Sequence, residues 1–317
     1  MMTSTIDFEF YFQWALIVIG VMGTAANAIV LYALVTSKQH KKYLLITNQN
    51  ALDLFCSCFL VITYSLKLCN FYLTEVHGYW LCMMLLSEML IYFGISGSII
   101  NLAIITIDRY LKMVDYLNVV YHTWSRKWLR SWVMYSAIAF PWLVGIVYNT
   151  ATAFATSGVI DAVCFSAAFY NSSADRLATL ISYIVFFYVI ILVIFIFCYG
   201  GILITVRRQA RVMAGYSDAG SSTAQTQSNQ LQTDVIDTMI LVCLFCATAW
   251  LPLFVYFIHL LLNPYVLFVD SRYYLLTFTA LFYICTNPFV YGTKFNPVKN
   301  LLRDMMCCKK AVSQPTA

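Results

Sequence analysis

The chain has 317 residues, of which 62% are hydrophobic and only 10% are charged, and its mean hydropathy is +0.77. A soluble globule of this size needs more polar surface, so the composition favours a bilayer as the solvent. The net charge is +5, but the basic residues are scattered between hydrophobic segments and form no basic domain, which excludes a nucleic-acid-binding protein.

Seven apolar segments follow one another along the chain, and we refer to them as the first to seventh spans. A helix crosses the hydrocarbon layer of a bilayer in about 20 apolar residues, so each segment is long enough. By residue number they are 11–36, 44–69, 80–113, 129–150, 177–206, 235–261 and 273–292. The sequence therefore predicts an all-α fold, a seven-transmembrane-helix bundle over residues 11–292, preceded by an extracellular N-terminus at 1–10.

The distribution of positive charge predicts the orientation of these spans. If the N-terminus is outside, sixteen Lys and Arg residues fall in cytoplasmic segments, and the other side keeps only Lys67, Arg176 and Arg272. Short loops retain Lys and Arg on the cytoplasmic side. We therefore expect a multi-pass protein of the plasma membrane whose basic loops lie in the cytoplasm.

Two segments outside the spans have distinct compositions. Residues 212–233 are polar and rich in small side chains, which predicts a flexible third cytoplasmic loop. Residues 293–317 begin with apolar side chains at helical spacing, which predicts a short amphipathic helix on the membrane surface and then a tail. Cys307 and Cys308 follow that helix and could carry palmitate that binds membrane lipid, with ordinary reduced thiols as the alternative.

Each span carries polar, aromatic or proline residues that stand out from its apolar background. Polar groups inside a membrane are costly, so each of them needs a partner or a role. In chain order the residues are Asn27, Asn48, Asp53, Asp108, Arg109, Tyr110, Trp132, Pro141, Tyr199, Trp250, Pro252, Asn287, Pro288 and Tyr291. This ordered set resembles the signatures of the rhodopsin-like (class A) family of G protein-coupled receptors, and short stretches are similar to melatonin-receptor and peptide-receptor branches.

The resemblance implies a switch at the cytoplasmic end of the bundle. Asp108 would restrain Arg109 at rest, and activation would release Arg109 toward Tyr199 and Tyr291 as the sixth span swings outward. A G-protein helix would then enter the opening and contact Leu117. An arginine with two alternative sets of partners forms a two-state element, whereas a boundary arginine that only extends its head group into water is the alternative.

Two prolines provide places where the sixth and seventh spans can bend. Pro252 in the sixth span and Pro288 in the seventh each remove a backbone hydrogen bond from their helix. Trp250, two residues before Pro252, resembles the ligand-responsive tryptophan of the family, although a tryptophan that is simply buried in the core would look the same.

The resemblance also implies a sodium site in the middle of the membrane. Asp53, Ser98 and Asn287 match positions that bind sodium in the family, and an oxygen-lined cage suits a hard cation. Tyr283 and Ile284 stand where the seventh span often supplies further polar ligands. A neutral, protonated Asp53 is therefore the alternative to a bound sodium ion.

Two modifications are expected on the extracellular side. The family's disulfide would join Cys82, just before the core of the third span, to Cys164 in the loop after the fourth span, where oxidation is permitted. Cys82 lies 26 residues before Asp108, two more than is usual in the family, and Cys69 is a competing partner. Asn171 begins a glycosylation sequon in the same loop.

Departures from the family pattern narrow the function. Leu281 stands where a visual pigment carries its retinal-binding lysine, and Ile91 stands where amine receptors carry their aspartate, so neither class is expected. Gln232 replaces an acid that often latches to the third-span arginine. We therefore expect a loosely held resting state with noticeable basal signalling.

The ligand pocket is expected in the outer halves of the spans. Candidate pocket residues are Glu88, Tyr92, Ile95, Trp250, His259 and Tyr274. Glu88 could pair with a cationic group of a ligand, or with Lys67, Arg176 or Arg272. The spacing of these residues leaves the two readings of Glu88 open.

The sequence thus predicts a receptor that binds an extracellular peptide or small molecule and activates a heterotrimeric G protein, with arrestin and a receptor kinase as further partners. A membrane transporter is the alternative, but the internal repeats expected of one are absent from the sequence. A non-signalling membrane scaffold is a second alternative. No HExxH motif or clustered His and Asp set lies inside the spans, so we expect no enzyme activity and no cofactor apart from the sodium ion.

Overall fold

The structure, a computed structural model, describes residues 2–69, 75–117, 125–165, 173–214, 223–263, 271–294, 298–300 and 303. Its helices are α1 (Met2–Thr36), α2 (Leu44–Leu68), α3 (Glu75–Leu81), α4 (Met89–Leu117), α5 (Ser125–Thr156), α6 (Ser173–Ile184), α7 (Ile190–Ala214), α8 (Thr223–Leu262) and α9 (Ser271–Lys294). Gln39–Lys41 forms a 3-10 turn, and the π-helical turns Cys82–Leu86 and Val185–Val189 connect α3 with α4 and α6 with α7.

Seven stretches of these helices are long and apolar enough to cross a membrane. They are Phe8–Thr36, Leu44–Leu68, His77–Leu111, Trp132–Thr156, Ala174–Thr205, Ile240–Leu260 and Ser271–Thr293. Their bounds lie within a few residues of the predicted spans, apart from the fourth, which ends six residues later, and the sixth, which begins five residues later. The predicted all-α bundle of seven transmembrane helices is confirmed.

The third span lies at the centre of the bundle. In its most apolar stretch 78% of the residues are buried, against 22% to 56% in the other six. It packs on the second, fourth and fifth spans, while the first packs on the second and seventh, and the sixth packs mainly on the seventh. Large apolar side chains such as Trp14, Val193 and Phe289 remain exposed on the outer surface of the bundle, where lipid would cover them.

Glycines allow the third span to approach its neighbours closely. A Cβ atom added at Gly94 would lie 2.8 Å from the Cβ of Cys56 in the second span. A Cβ atom added at Gly145 would lie 2.9 Å from the carbonyl oxygen of Phe93. Small residues at such crossings let helices pack tightly where no hydrophobic effect drives their association.

The third span is interrupted near its outer end. In the π-helical turn Cys82–Leu86 the backbone widens, and the N–H of Ser87 donates to the carbonyl of Cys82 at 2.8 Å. Glu88 follows with φ of 66°, a left-handed conformation that a residue with a side chain adopts at a cost of about 1–2 kcal/mol. The apolar pattern predicts one span over 80–113, whereas the helix is interrupted here. The wide turn and the break accommodate the two additional residues between Cys82 and Asp108.

A hairpin covers the same end of the bundle. β1 (Gly158–Ile160) and β2 (Val163–Phe165) pair antiparallel, and the two connecting residues, Asp161 and Ala162, both have positive φ, as a two-residue hairpin turn requires. Cys164 on β2 is bonded to Cys82, with a Cα–Cα distance of 5.4 Å. The predicted disulfide is therefore present, and Cys69 is a free thiol. We call this end of the bundle the outer end.

At the inner end the sixth helix is longer than predicted. α8 begins at Thr223, so residues 223–233, which were expected to belong to a flexible loop, are helical. The physical reason is that Gln and Ala are good helix formers and that extending an existing helix needs no new nucleus. Of the predicted surface helix after the seventh span, residues 298–300 and 303 are helical. Cys307, Cys308 and Asn171 lie outside the described residues.

Gly94→Ala tests the close approach of the second and third spans. The added methyl group overlaps Cys56, and overpacking of this kind costs about 1–3 kcal/mol. We expect a lower midpoint of thermal unfolding for the purified protein in detergent. Gly200→Ala is the matched control, because nothing lies within 4 Å of its added Cβ and helical Ala is favoured over Gly by about 0.5–1 kcal/mol. Equal midpoints for the two variants would contradict the packing.

Candidate functional site

The carboxylate of Asp53 lies fully buried in the middle of the second span. Its Oδ1 accepts a hydrogen bond from Ser98 Oγ at 2.6 Å, and its Oδ2 accepts one from Asn287 Nδ2 at 2.7 Å. Gln49 Nε2, one helical turn before Asp53, lies 3.4 Å from both oxygens and also donates to Ser98. The three predicted sodium-site residues are therefore brought together, and the amide of Gln49 reaches into the same space.

A chain of amide hydrogen bonds extends this site across the bundle. Gln49 Oε1 accepts from Asn101 Nδ2 at 2.8 Å, and Asn101 Oδ1 accepts from Asn48 Nδ2 at 2.9 Å. Asn48 Oδ1 in turn accepts from the indole Nε1 of Trp142 at 2.9 Å. The chain links the second, third, fourth and seventh spans through groups that would each be costly to leave unpaired in an apolar interior.

Sequence reasoning missed three members of this network. One of them is Trp142, whose indole donates to Asn48; Trp132, the tryptophan that marks the fourth span, is 58% exposed. Gln49 and Asn101 were also overlooked. They were detectable, since Gln49 lies four residues before Asp53 and Asn101 three after Ser98, which places each on the same helix face as its neighbour.

Arg109 lies at the inner end of the third span with part of its guanidinium buried. Its Nε is shielded from solvent and has no hydrogen-bond partner among the described residues. The ion pair recorded in the described part of the chain is Lys67–Glu88, and the restraint of Arg109 by Asp108 stays a prediction. Leu117 ends α4, and its side chain lies outside the description.

Tyr199 ties three spans together beside Arg109. Its hydroxyl lies 3.3 Å from Thr106 Oγ1 in the third span and 3.3 Å from Cys243 Sγ in the sixth. Tyr291 is completely buried, yet its hydroxyl has no partner within the described residues. One of the two tyrosines expected to receive Arg109 is thus engaged elsewhere, and the other is unpaired.

Trp250 is buried in the middle of the sixth span, 2% exposed. Its ring centroid lies 5.9 Å from that of Phe254, and its Nε1 has no partner in the described structure. A small cavity lies beside it, lined in part by Tyr188 and Cys246. Pro252 and Pro288 both lie inside their helices, as expected for bend sites.

A cavity of about 300 Å³ lies at the outer end of the bundle. Its walls carry many tyrosines and the charged residues Glu9, Glu88 and Lys67. Glu88 Oε1 accepts a hydrogen bond from Tyr64 at 2.7 Å and pairs with Lys67 Nζ. Pockets of roughly this size with a few convergent polar groups are typical of small-molecule sites.

The structure separates the predicted pocket residues into two groups. Glu88, Tyr92 and Tyr274 line the cavity. Ile95 is buried in the core, Trp250 lines the smaller cavity, and His259 contacts Asn263 at an exposed helix end. Sequence reasoning missed several tyrosines of the wall, which the concentration of tyrosine in the outer halves of the spans could have indicated. They are Tyr64, Tyr148, Tyr183 and Tyr273.

Comparisons with known proteins agree with this architecture. A family model described as "7 transmembrane receptor (rhodopsin family)" matches residues 26–291. The crystal structure of squid rhodopsin superposes with a TM-score of 0.72 at 16% sequence identity, covering 96% of this chain and 87% of that chain. This likeness shows the fold alone. The comparison with curated protein sequences finds no match.

Asn101→Leu tests the amide chain. The substitution removes the donor to Gln49 Oε1 and the acceptor for Asn48 Nδ2, and a buried polar group left unpaired costs about 1–3 kcal/mol. We expect a marked fall in the thermal midpoint of the purified protein. The control is Thr248→Val, which removes an exposed hydroxyl that bonds only within its own helix. A fall no larger than that of the control would show that the chain of amide hydrogen bonds contributes no stability.

Proposed function

Since this chain belongs to the rhodopsin family of seven-transmembrane receptors, we propose that it binds an extracellular ligand at the outer cavity and activates a heterotrimeric G protein at the inner end. The signal passes between them through an outward movement of the sixth span. The receptor resides in the plasma membrane with its N-terminus outside. The disulfide at the outer end supports this orientation, because such bonds persist on the oxidising side of the membrane.

The single observation that carries the proposal is that three of the residues expected to form the switch have unpaired buried groups. Arg109 Nε, Tyr291 Oη and Trp250 Nε1 are all shielded without a partner among the described residues. Each unpaired group costs about 1–3 kcal/mol, so a second arrangement that pairs them lies close in free energy. A ligand needs only a modest difference in affinity to shift such a two-state equilibrium.

The sixth span is the element that moves in this mechanism. It packs mainly on the seventh and is tied to the third and fifth at its inner half by Cys243, Thr106 and Tyr199. Breaking this tie frees the Tyr199 hydroxyl for Arg109, and Pro252 allows the helix to bend. The resulting opening receives the G protein and, in the phosphorylated receptor, arrestin.

Retinal is not the ligand in this proposal. Leu281, which occupies the position of the retinal-binding lysine, is an apolar core side chain that is 2% exposed and can form no Schiff base. The likeness to squid rhodopsin extends to the fold and not to its chromophore. A soluble extracellular molecule that enters the outer cavity is the better candidate.

Arg109→Ala tests the signalling function. Because Gln232 replaces an acid that often latches to the third-span arginine, we expect the unmodified receptor to signal without ligand, and we expect the variant to fall to the level of mock-transfected cells. Nucleotide exchange on representatives of the Gα families, normalised to surface expression, measures both. Arg207→Ala is the matched control, because Arg207 is exposed at the inner end of the fifth span.

Two outcomes would contradict this function. Basal nucleotide exchange no higher than in mock-transfected cells for every Gα family would contradict a loosely held resting state. Unchanged nucleotide exchange in Arg109→Ala at equal surface expression would contradict the role of Arg109 as the switch. The second result would favour the non-signalling scaffold or the transporter, and uptake measurements would then separate those two.

We also propose that the Gln49 amide, rather than a sodium ion, occupies the space beside Asp53. The carboxylate already accepts from Ser98 and Asn287, and the Gln49 amide approaches both of its oxygens. Sodium coordinates oxygen atoms, whereas the groups that face Asp53 here are hydrogen-bond donors. A sodium ion would have to displace the Gln49 amide and rotate the hydroxyl of Ser98.

Gln49→Ala should create a sodium site where the unmodified receptor has none. We expect the thermal midpoint of the purified variant to rise in sodium chloride relative to N-methylglucamine chloride, because binding to the native state stabilises it. Adding Asp53→Asn to the variant should abolish this rise. A sodium-specific rise of the same size in the unmodified receptor would show that sodium binds despite Gln49.

A further inference from the structure

The outer cavity has a charge arrangement that selects among ligands. Two carboxylates, Glu9 and Glu88, and one ammonium group, Lys67, line it, so the charged groups of its described walls sum to one negative charge. Glu88 is mostly buried, with 15% of its side chain exposed. A partly desolvated site with a net negative charge attracts cations and disfavours anions.

The ammonium group of Lys67 is already paired with a carboxylate of the cavity wall. Its Nζ pairs with Glu88 Oε1 and lies 4.8 Å from the ring centroid of Tyr64, and Tyr64 donates to the same carboxylate oxygen. An anionic ligand would have to separate this ion pair, which is costly in a partly buried site. The hydrogen bonds recorded for Glu88 all fall on Oε1, so Oε2 is the atom that can accept from a ligand.

The walls of the cavity are rich in aromatic rings. Phe12 and Phe257 line it together with six tyrosines, namely Tyr64, Tyr92, Tyr148, Tyr183, Tyr273 and Tyr274. Tyr92 and Tyr273 approach through their hydroxyls at 3.4 Å, and the rings of Phe12 and Tyr274 lie 4.8 Å apart. The faces of such rings carry negative electrostatic potential and attract cationic groups. The Tyr183 side chain lines the cavity and provides a polar contact as well.

The backbone at Glu88 supports a role beyond packing. Glu88 sits in the left-handed conformation with φ of 66° directly after the π-helical turn, where glycine would be unstrained. Strained backbone at a residue with a side chain concentrates at ligand sites. A charged side chain is thus kept at a strained position on the cavity wall.

We propose that this cavity binds a compact organic cation, an amine whose ammonium group is bound by Glu88 Oε2, attracted by Glu9 and packed against the tyrosine faces. The inference rests on the proposed function only in taking the cavity as the ligand site. It uses a carboxylate on the outer side of the break in the third span, and Ile91, which is buried in the core, takes no part.

The test uses three small molecules that share a skeleton and differ at one end: phenylbutylamine, phenylbutanol and phenylbutanoic acid. The full-length receptor is purified in detergent near neutral pH, and dissociation constants are obtained from the dependence of its thermal midpoint on ligand concentration. We expect the amine to bind at least about tenfold more tightly than the alcohol, and the acid to bind least.

Charge-neutralising variants assign the selectivity to the cavity. Glu88→Gln should weaken the amine about tenfold or more, and Glu9→Gln combined with Glu88→Gln should reverse the preference toward the acid, because Lys67 is then the charge that remains. Asp161→Asn is the matched control, since Asp161 is an exposed carboxylate in the hairpin turn at the same end. It should leave all three constants unchanged.

Lys67→Met provides a second measurement if Glu88→Gln fails to fold. Removing the competing ammonium group should tighten the amine several-fold, because the charge of Glu88 is then no longer balanced by Lys67. An unchanged or weaker affinity for the amine in this variant overturns the proposal. Tighter binding of the acid than of the amine to the unmodified receptor, or binding of none of the three molecules, also overturns it.

The assay contains no G protein, so its result is independent of coupling. Loss of amine selectivity with an intact effect of Arg109→Ala would reject the ligand class and leave the signalling function standing. Selective amine binding without any G-protein activation would reject the signalling function and support the ligand class.

Discussion

A carboxylate in the middle of a bilayer must be surrounded by hydrogen-bond donors, and the architecture of this protein follows from meeting that requirement at Asp53. Ser98 and Asn287 reach it from the third and seventh spans, and Gln49 reaches it from its own helix. The amide chain through Asn101 then continues to the fourth span. Because each donor comes from a defined place on its helix, the network fixes how four spans are rotated relative to one another.

The residues expected to form the switch are in the opposite condition. Arg109, Trp250 and Tyr291 keep buried polar atoms without partners in the described structure, while Tyr199 bonds to Thr106 and Cys243. A carboxylate that accepts several hydrogen bonds resists rearrangement, whereas unpaired groups leave several arrangements close in free energy. The bundle therefore combines a strongly bonded carboxylate with switch residues that are poised to change partners.

Much of this fold was predictable because the bilayer imposes it. Helix length is set by membrane thickness, so the spans followed from sequence patterns, and the pairing of Cys82 with Cys164 followed from the resemblance to the rhodopsin-like family. Partner choice was not predictable in the same way. The bond between Trp142 and Asn48 and the approach of Gln49 to Asp53 depend on the rotation and depth of each helix. Spacing along one chain does not determine these two quantities. The cavity wall likewise depends on which tyrosines of separate helices face each other.

The break before Met89 also limits what can be transferred from other members of the family. Between Met89 and Leu117 the third span is a regular helix, so positions counted back from Arg109 as far as Ile91 keep their usual phase. Beyond Glu88 the π-helical turn shifts that phase, because a wider turn contains more residues. Ligand contacts can therefore be assigned by alignment with a relative after Glu88 but not before it. A ligand model taken from a relative would place its groups against different side chains in the part of the span before Glu88.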